Sequence, residues 1–226
     1  MSKRLADAEA PLPLKRKLRR ALFSVSREGA SLPMPSFSKP GAVPPKEQSH
    51  ACAHSQRNEL LVRFAGLLPH SGYALDIACG HGQNTIYLAQ QGMWATGVDH
   101  SRKALRTGRE SAIQSNLKLS FVEADLTRFA LPDNTFSVAI CFKYRDPHLY
   151  PVLRSALRPG GLLIYETYTL EHLKYGRKPL NPEHLLERNE LLKAFGNWEV
   201  IFYREVWQGL GVASIVARKP CAAPTS

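Results

Sequence analysis

From residue 55 onward the apolar positions alternate between two periods. Leu60, Leu61, Phe64, Leu67 and Leu68 recur at helical spacing and stop before Pro69 and the Ser71-Gly72 turn, which predicts an amphipathic helix. Residues 73–78 form a short apolar run, and Ile86, Leu88 and Ala89 return to helical spacing over 84–91 with Gly92 as the stop. The unit repeats as a strand over 94–98, a helix over 101–115 opened by Ser101 as N-cap, and a strand over 119–123. A strand over 136–142, a helix over 147–157, a Pro159-Gly160-Gly161 turn and a strand over 161–166 follow. A helix over 182–195 then precedes apolar runs at 199–206 and 211–217, which read as a hairpin turning at Gly209 and Gly211. Apolar runs joined by helices of this length predict an α/β class: a doubly wound, mostly parallel seven-stranded sheet with helices on both faces and a C-terminal hairpin.

Composition narrows the picture. The chain has 226 residues, 44% hydrophobic and 22% charged, which suits one globular core. No stretch has the roughly 20 apolar residues a spanning helix needs, and no apolar region follows the N-terminal basic residues, so neither membrane insertion nor secretion is expected. Cys52, Cys79, Cys141 and Cys221 stand far apart, which argues against a disulfide framework or zinc ribbon; no metal site is expected.

The net charge of +11 is concentrated at the start of the chain: residues 1–48 hold ten basic and four acidic residues, together with seven of the sixteen prolines. That composition predicts a disordered basic tail over 1–48, a folded domain over 49–220 and a short tail over 221–226. Lys3-Arg4 and the cluster at 15–20 match a bipartite nuclear-import signal, so an import carrier binding residues 3–20 is a candidate partner and nucleus or cytoplasm the expected setting. A mitochondrial presequence is the other targeting reading, with Asp7 and Glu9 against it. His50, Cys52 and His54 alternate as metal ligands would, yet the spacing does not suit a closed zinc site and an ordinary loop is the better reading.

In doubly wound sheets ligands lie beyond the carboxyl ends of the strands, near the point where the strand order reverses. The first turn there reads Asp76-Ile77-Ala78-Cys79-Gly80-His81-Gly82-Gln83-Asn84. Gly80 and Gly82 clear side chains from a place where a ligand can approach the backbone. A dinucleotide fingerprint needs a third glycine where Thr85 stands, and Asp76 would repel a pyrophosphate while favouring a cationic amino-acid moiety.

This loop, with an acidic residue at the end of the next strand, resembles motif I of class I S-adenosylmethionine-dependent methyltransferases. The resemblance continues in order over residues 73–166. Gly97-Val98-Asp99 resembles the strand end whose carboxylate takes the ribose hydroxyls, and Glu123-Ala124-Asp125-Leu126 the strand end beside the adenine; residues 136–142 match the fourth strand and Leu157-Arg158-Pro159-Gly160-Gly161 the turn before the fifth. It implies S-adenosyl-L-methionine as cofactor, bound by Asp76, Ala78, Cys79, Gly80, Gly82, Asn84, Asp99, His100, Asp125, Leu126 and Phe142. Ala78 departs from the family's usual glycine. Read one by one, the same residues also suit a tight turn, a helix cap at Asp99 and a solvated loop at Asp125. The Gly80-to-Ala89 run, the Pro159-to-Tyr168 run and Tyr175-Gly176-Arg177-Lys178-Pro179-Leu180-Asn181-Pro182 are similar to the small tellurite-resistance type of this class.

Transfer from a sulfonium needs an aligned nucleophile, exclusion of water and, for protic acceptors, a proton acceptor. Residues after the fourth and fifth strands are the candidates: Lys143, Tyr144, Arg145 and Asp146, then Glu166, Tyr168 and His172. Tyr144 and Tyr168 could offer aromatic faces or simply pack; His172 could be a base or a surface histidine; Glu166 a base or a loop cap. The Asn/Asp-Pro-Pro-Tyr/Phe run of amino-DNA methyltransferases, a Pro-Cys nucleophile and the paired-Glu loop of arginine methyltransferases are missing, and Cys141 after Ile140 reads as a buried, inert thiol. The basic stretch at 168–182 suggests a substrate cover and an anionic or electron-rich acceptor. The expected activity is methyl transfer to a small-molecule nucleophile. RNA or protein methylation, with the basic tail supplying phosphate affinity, and a non-catalytic partner subunit are the alternatives.

Overall fold

The computed structural model describes residues 57–113, 117–128, 130–175, 181–209 and 211–221. The basic tail, the His50/Cys52/His54 trio and residues 176–180 of the proposed substrate cover lie outside the described residues.

Seven strands form one sheet: β1 (Tyr73–Ile77), β2 (Trp94–Asp99), β3 (Leu119–Glu123), β4 (Phe136–Phe142), β5 (Leu157–Tyr168), β6 (Glu199–Val206) and β7 (Val212–Arg218). Their spatial order is β3-β2-β1-β4-β5-β7-β6. The first five are parallel, and β7 runs antiparallel to both β5 and β6, as a closing hairpin requires. β1 and β4 are neighbours. The chain leaves them in opposite directions across the sheet, so a crevice opens beyond their carboxyl ends.

β4 shows why the apolar runs are continuous. All seven of its residues are buried, because both faces of a central parallel strand are covered. Ala139 and Cys141 face one core, with Leu149, Leu153 and Ala156 of α4 (Leu149–Ala156) and Leu191 and Phe195 of α6 (Glu190–Phe195). Val138, Ile140 and Phe142 face the other, with Leu60 and Leu61 of α1 (Glu59–Arg63) and Leu88 of α2 (Gln83–Gln90). Phe136 shares a face with Ala139 because the β4–β5 register shifts between Phe136 and Val138. Along β2 and β3 lies α3 (Arg102–Ile113), whose start is marked by Ala104 N–H donating to Ser101 Oγ at 3.3 Å.

Three elements differ from the sequence expectation. The first helix is only Glu59–Arg63, followed by a 3₁₀ turn at Ala65–Leu67, so the apolar spacing over 60–68 spans two elements. β5 begins at Leu157 instead of at Gly161, because Leu157 pairs with Phe136 and the backbone of Gly160 and Gly161 exchanges hydrogen bonds with Lys219. The helix expected over 182–195 is broken. A 3₁₀ turn at Pro182–His184 gives way to extended residues in which Leu186 bridges Thr169, its amide donating to the Tyr168 carbonyl at 2.9 Å. Burial of Leu185 and Leu186 and backbone pairing with the end of β5 outweigh helix propensity there, and Asn189, at φ 58°, restarts the chain into α6. Between β5 and these turns lies α5 (His172–Tyr175). No described helix is long and apolar enough to cross a membrane.

Candidate functional site

The turn after β1 lies over the crevice, and its shape comes from packing beneath it. Gly82 adopts φ 73°, and a Cβ there would come within 2.3 Å of the Phe121 ring on β3. Gly97 and Gly108 are close-packed for the same reason: a Cβ on Gly97 would approach Thr85 Oγ1, Cys79 Sγ and Phe121 within 3 Å, and one on Gly108 would lie 2.9 Å from the His81 carbonyl. Gly80 differs, since a Cβ there would meet nothing within 4 Å. Ala78, where the resembled family favours glycine, takes φ 54°. The loop therefore keeps a glycine-like backbone with an alanine in it, at a cost of about 1–2 kcal/mol.

Two buried carboxylates bracket the loop. Asp76 is 1% exposed and accepts a hydrogen bond from Thr85 Oγ1 at 2.6 Å; burial pushes its pKa up to about 7 against that bond. Asp99, also buried, accepts from Gly80 N–H through Oδ2 and from Ser101 N–H through Oδ1, both at 2.8 Å. The His100 imidazole stands 3.4 Å from Oδ1.

A cleft of about 490 Å³ opens beside this loop, lined by Arg57, Asn58 and Glu59, by Asp76, Ala78, Cys79, His81, Gln83 and Asn84, and by Phe142, Lys143, Tyr144 and Glu166. This volume is within the range of small-molecule sites. Burial drives the Cys79 thiol upward, and Tyr144 to about 12, so both enter the cleft as neutral groups. Lys143 follows β4 at φ 57°, its amide donating to the Glu166 carbonyl at 2.9 Å. Of the expected catalytic residues, the cleft thus gathers Tyr144 and Glu166. Tyr168 and His172 stack on each other with centroids 4.2 Å apart, outside its lining. Arg145 faces away and clamps the later turns, with Nε and Nη2 on the two Glu190 oxygens at 2.8 and 3.0 Å and Nη1 on the Glu183 carbonyl.

The remaining expected binders divide. Asn84 and Phe142 line the cleft, and Leu126 is buried in the core beneath. Asp125 is exposed and outside the lining. Its Oδ1 accepts from Thr127 N–H and Oγ1, bonds that hold its pKa below the usual carboxylate range. Cys141 is fully buried, and that burial raises its thiol pKa, as expected for an inert thiol. No cluster of metal-ligating side chains occurs among the described residues. Asn58 and the rest of the 57–59 wall escaped the sequence reading. An Asn ahead of Glu59 and the apolar pair Leu60-Leu61 is an N-cap signal, but nothing local ties it to a cleft.

The residues fit S-adenosylmethionine. A buried carboxylate of raised pKa suits its cationic amino-acid part, the open face of Gly80 leaves room at the backbone, and each Asp99 oxygen keeps a lone pair for a ribose hydroxyl. The sheet order and this loop are those expected of the class I S-adenosylmethionine-dependent methyltransferase fold. Residues 74–161 match the family model described as a methyltransferase domain. The chain is similar to TehB of Haemophilus influenzae, with 25% identity over 138 residues, 58% of this chain and 47% of that protein. The crystal structure of that TehB superposes with a TM-score of 0.61 at 20% identity, covering 74% of this chain and 63% of the other. The chain is also 26% identical to a ubiquinone biosynthesis O-methyltransferase of Vibrio parahaemolyticus over 119 residues (50% of this chain, 51% of that one). Phosphoethanolamine N-methyltransferase of Triticum aestivum is 27% identical over 149 residues (63% and 28%). The chain spans about half the length, or less, of these curated relatives.

Proposed function

We propose that this chain transfers the methyl group of S-adenosylmethionine to a small-molecule nucleophile seated beyond the carboxyl ends of β4 and β5. The observation that carries this reading is that one cleft joins Asp76, Ala78 and Cys79 of the first turn to Tyr144 and Glu166 at the next two strand ends. The cofactor supplies a methyl group already activated on a sulfonium, so the protein's work is orientation and exclusion of water. Asp76 faces the cationic part, Asp99 holds the ribose, Phe142 and Tyr144 offer aromatic faces, and Glu166 is placed to orient a protic acceptor or take its proton. The names of the ubiquinone and phosphoethanolamine relatives support a small acceptor without choosing between oxygen and nitrogen.

The test is to incubate the full chain with methyl-labelled S-adenosylmethionine and separate panels of phenols, amines, thiols and selenite, with RNA and protein as further arms. Label in a small-molecule arm supports the reading; label confined to RNA or protein overturns the acceptor class. The basic clusters within 3–20 support binding of a nuclear-import carrier, with nucleus or cytoplasm as the setting.

A further inference from the structure

Asn58 sits where the chain enters the sheet domain and reaches both sides of the cleft. Its Oδ1 accepts from the Leu60 and Leu61 amides at 2.8 and 3.4 Å, capping α1. Its Nδ2 donates to Glu166 Oε1 at 3.1 Å, and its backbone N–H donates to Asn84 Oδ1 at 2.9 Å. The second Glu166 oxygen accepts from Ser214 Oγ at 2.6 Å, directly across the β5–β7 pair. Next to it, the Arg57 guanidinium lies 5.1 Å over the Tyr87 ring of α2.

The choice of asparagine is informative. A helix cap needs only an acceptor oxygen, which Ser and Asp supply about equally well. An asparagine side chain adds a donor on the same planar group, and here that donor is spent on a carboxylate in the cleft. A helix of five residues has no stability of its own, so tertiary contacts such as these place it.

We propose that Asn58 is a positioning residue: it orients the Glu166 carboxylate and holds residues 57–59 as the wall that retains bound cofactor. The inference rests on the methyltransferase reading of this cleft. With Asn58 on one oxygen and Ser214 on the other, Glu166 has a single orientation. With Asn58 also tied to Asn84, the wall cannot swing from α2 without breaking bonds on both sides.

The experiment measures S-adenosylmethionine affinity and dissociation rate on the full chain. Asn58→Ser keeps a capping oxygen and loses the donor. It should leave the melting temperature within about 2 °C while raising the dissociation constant about tenfold, the scale of one lost bond to a charged group, through faster release. Asn58→Asp keeps the cap and sets a like charge against Glu166, and should weaken binding at least as much. In a Glu166→Gln background the amide can donate to the new carboxylate, so adding Asn58→Asp should cost no more than about threefold. Asp99→Ala serves as the control. Wild-type affinity in Asn58→Ser and Asn58→Asp, with binding lost in Asp99→Ala, overturns the positioning role alone. Equal cost of Asn58→Asp in both backgrounds overturns the pairing with Glu166. Unchanged affinity in Asp99→Ala overturns the cofactor reading, and this inference with it.

Discussion

The Gly80 amide donates to Asp99 Oδ2 at 2.8 Å, so the turn after β1 is fastened to the end of β2 by the carboxylate that also holds the Ser101 amide just ahead of α3. These bonds leave room for a ligand: two oxygens carry about four acceptor sites, and the protein's own amides use two. Asp99→Ala should raise the S-adenosylmethionine dissociation constant about tenfold or more and lower stability by about 1–2 kcal/mol. Calorimetry and thermal melts check the two effects separately.

Asp76 sets a pH dependence. Its pKa, raised by burial to about 7, exceeds the ordinary value near 4, so between these limits the folded chain binds more protons than the unfolded chain. Stability from this group is full at low pH and is lost as pH rises through 7. Asp76→Asn, which keeps an acceptor for Thr85, should therefore gain in relative melting temperature between pH 5 and pH 8. Binding of a cation beside Asp76 should release up to one proton near pH 7, measured as a buffer-dependent binding enthalpy. Asp76→Asn should abolish that dependence.

The loop itself can be tested at two positions of opposite sign. Ala78 holds φ 54° without the freedom of glycine, so Ala78→Gly should be neutral or stabilising by up to about 1 kcal/mol. Gly82→Ala places a methyl into the Phe121 ring at φ 73° and should cost about 2 kcal/mol or more. Denaturant melts of the two variants should move the midpoint in these directions.

Deleting residues 1–48 should leave the melting temperature nearly unchanged, because their composition buries little apolar surface. If these residues carry an import signal, a reporter fused to them should enter the nucleus and lose that placement when the basic cluster at 15–20 is neutralised. A mitochondrial reporter would favour the presequence reading instead.

The positions of the strands were legible because a buried parallel strand must be apolar on both faces. Runs such as residues 136–142 therefore stand out, and the glycines at 80 and 82 mark the turn between them. The same reasoning misplaced the helix over 182–195. Leu185 and Leu186 look helical by spacing, yet the end of β5 offers the Leu186 backbone partners that no local signal reveals.

The sequence by itself determined the class of fold, the glycine turn of the candidate cofactor site and the acidic strand ends at 76 and 99, since each depends on residues close together along the chain. Only the tertiary structure decided which side chains share the cleft. It placed Tyr144 and Glu166 inside and Tyr168 with His172 outside, and it brought Asn58 to Glu166 across 108 residues. The reason is physical: periodicity encodes which face of an element is buried, whereas the meeting of two elements depends on sheet register and packing summed over the whole core.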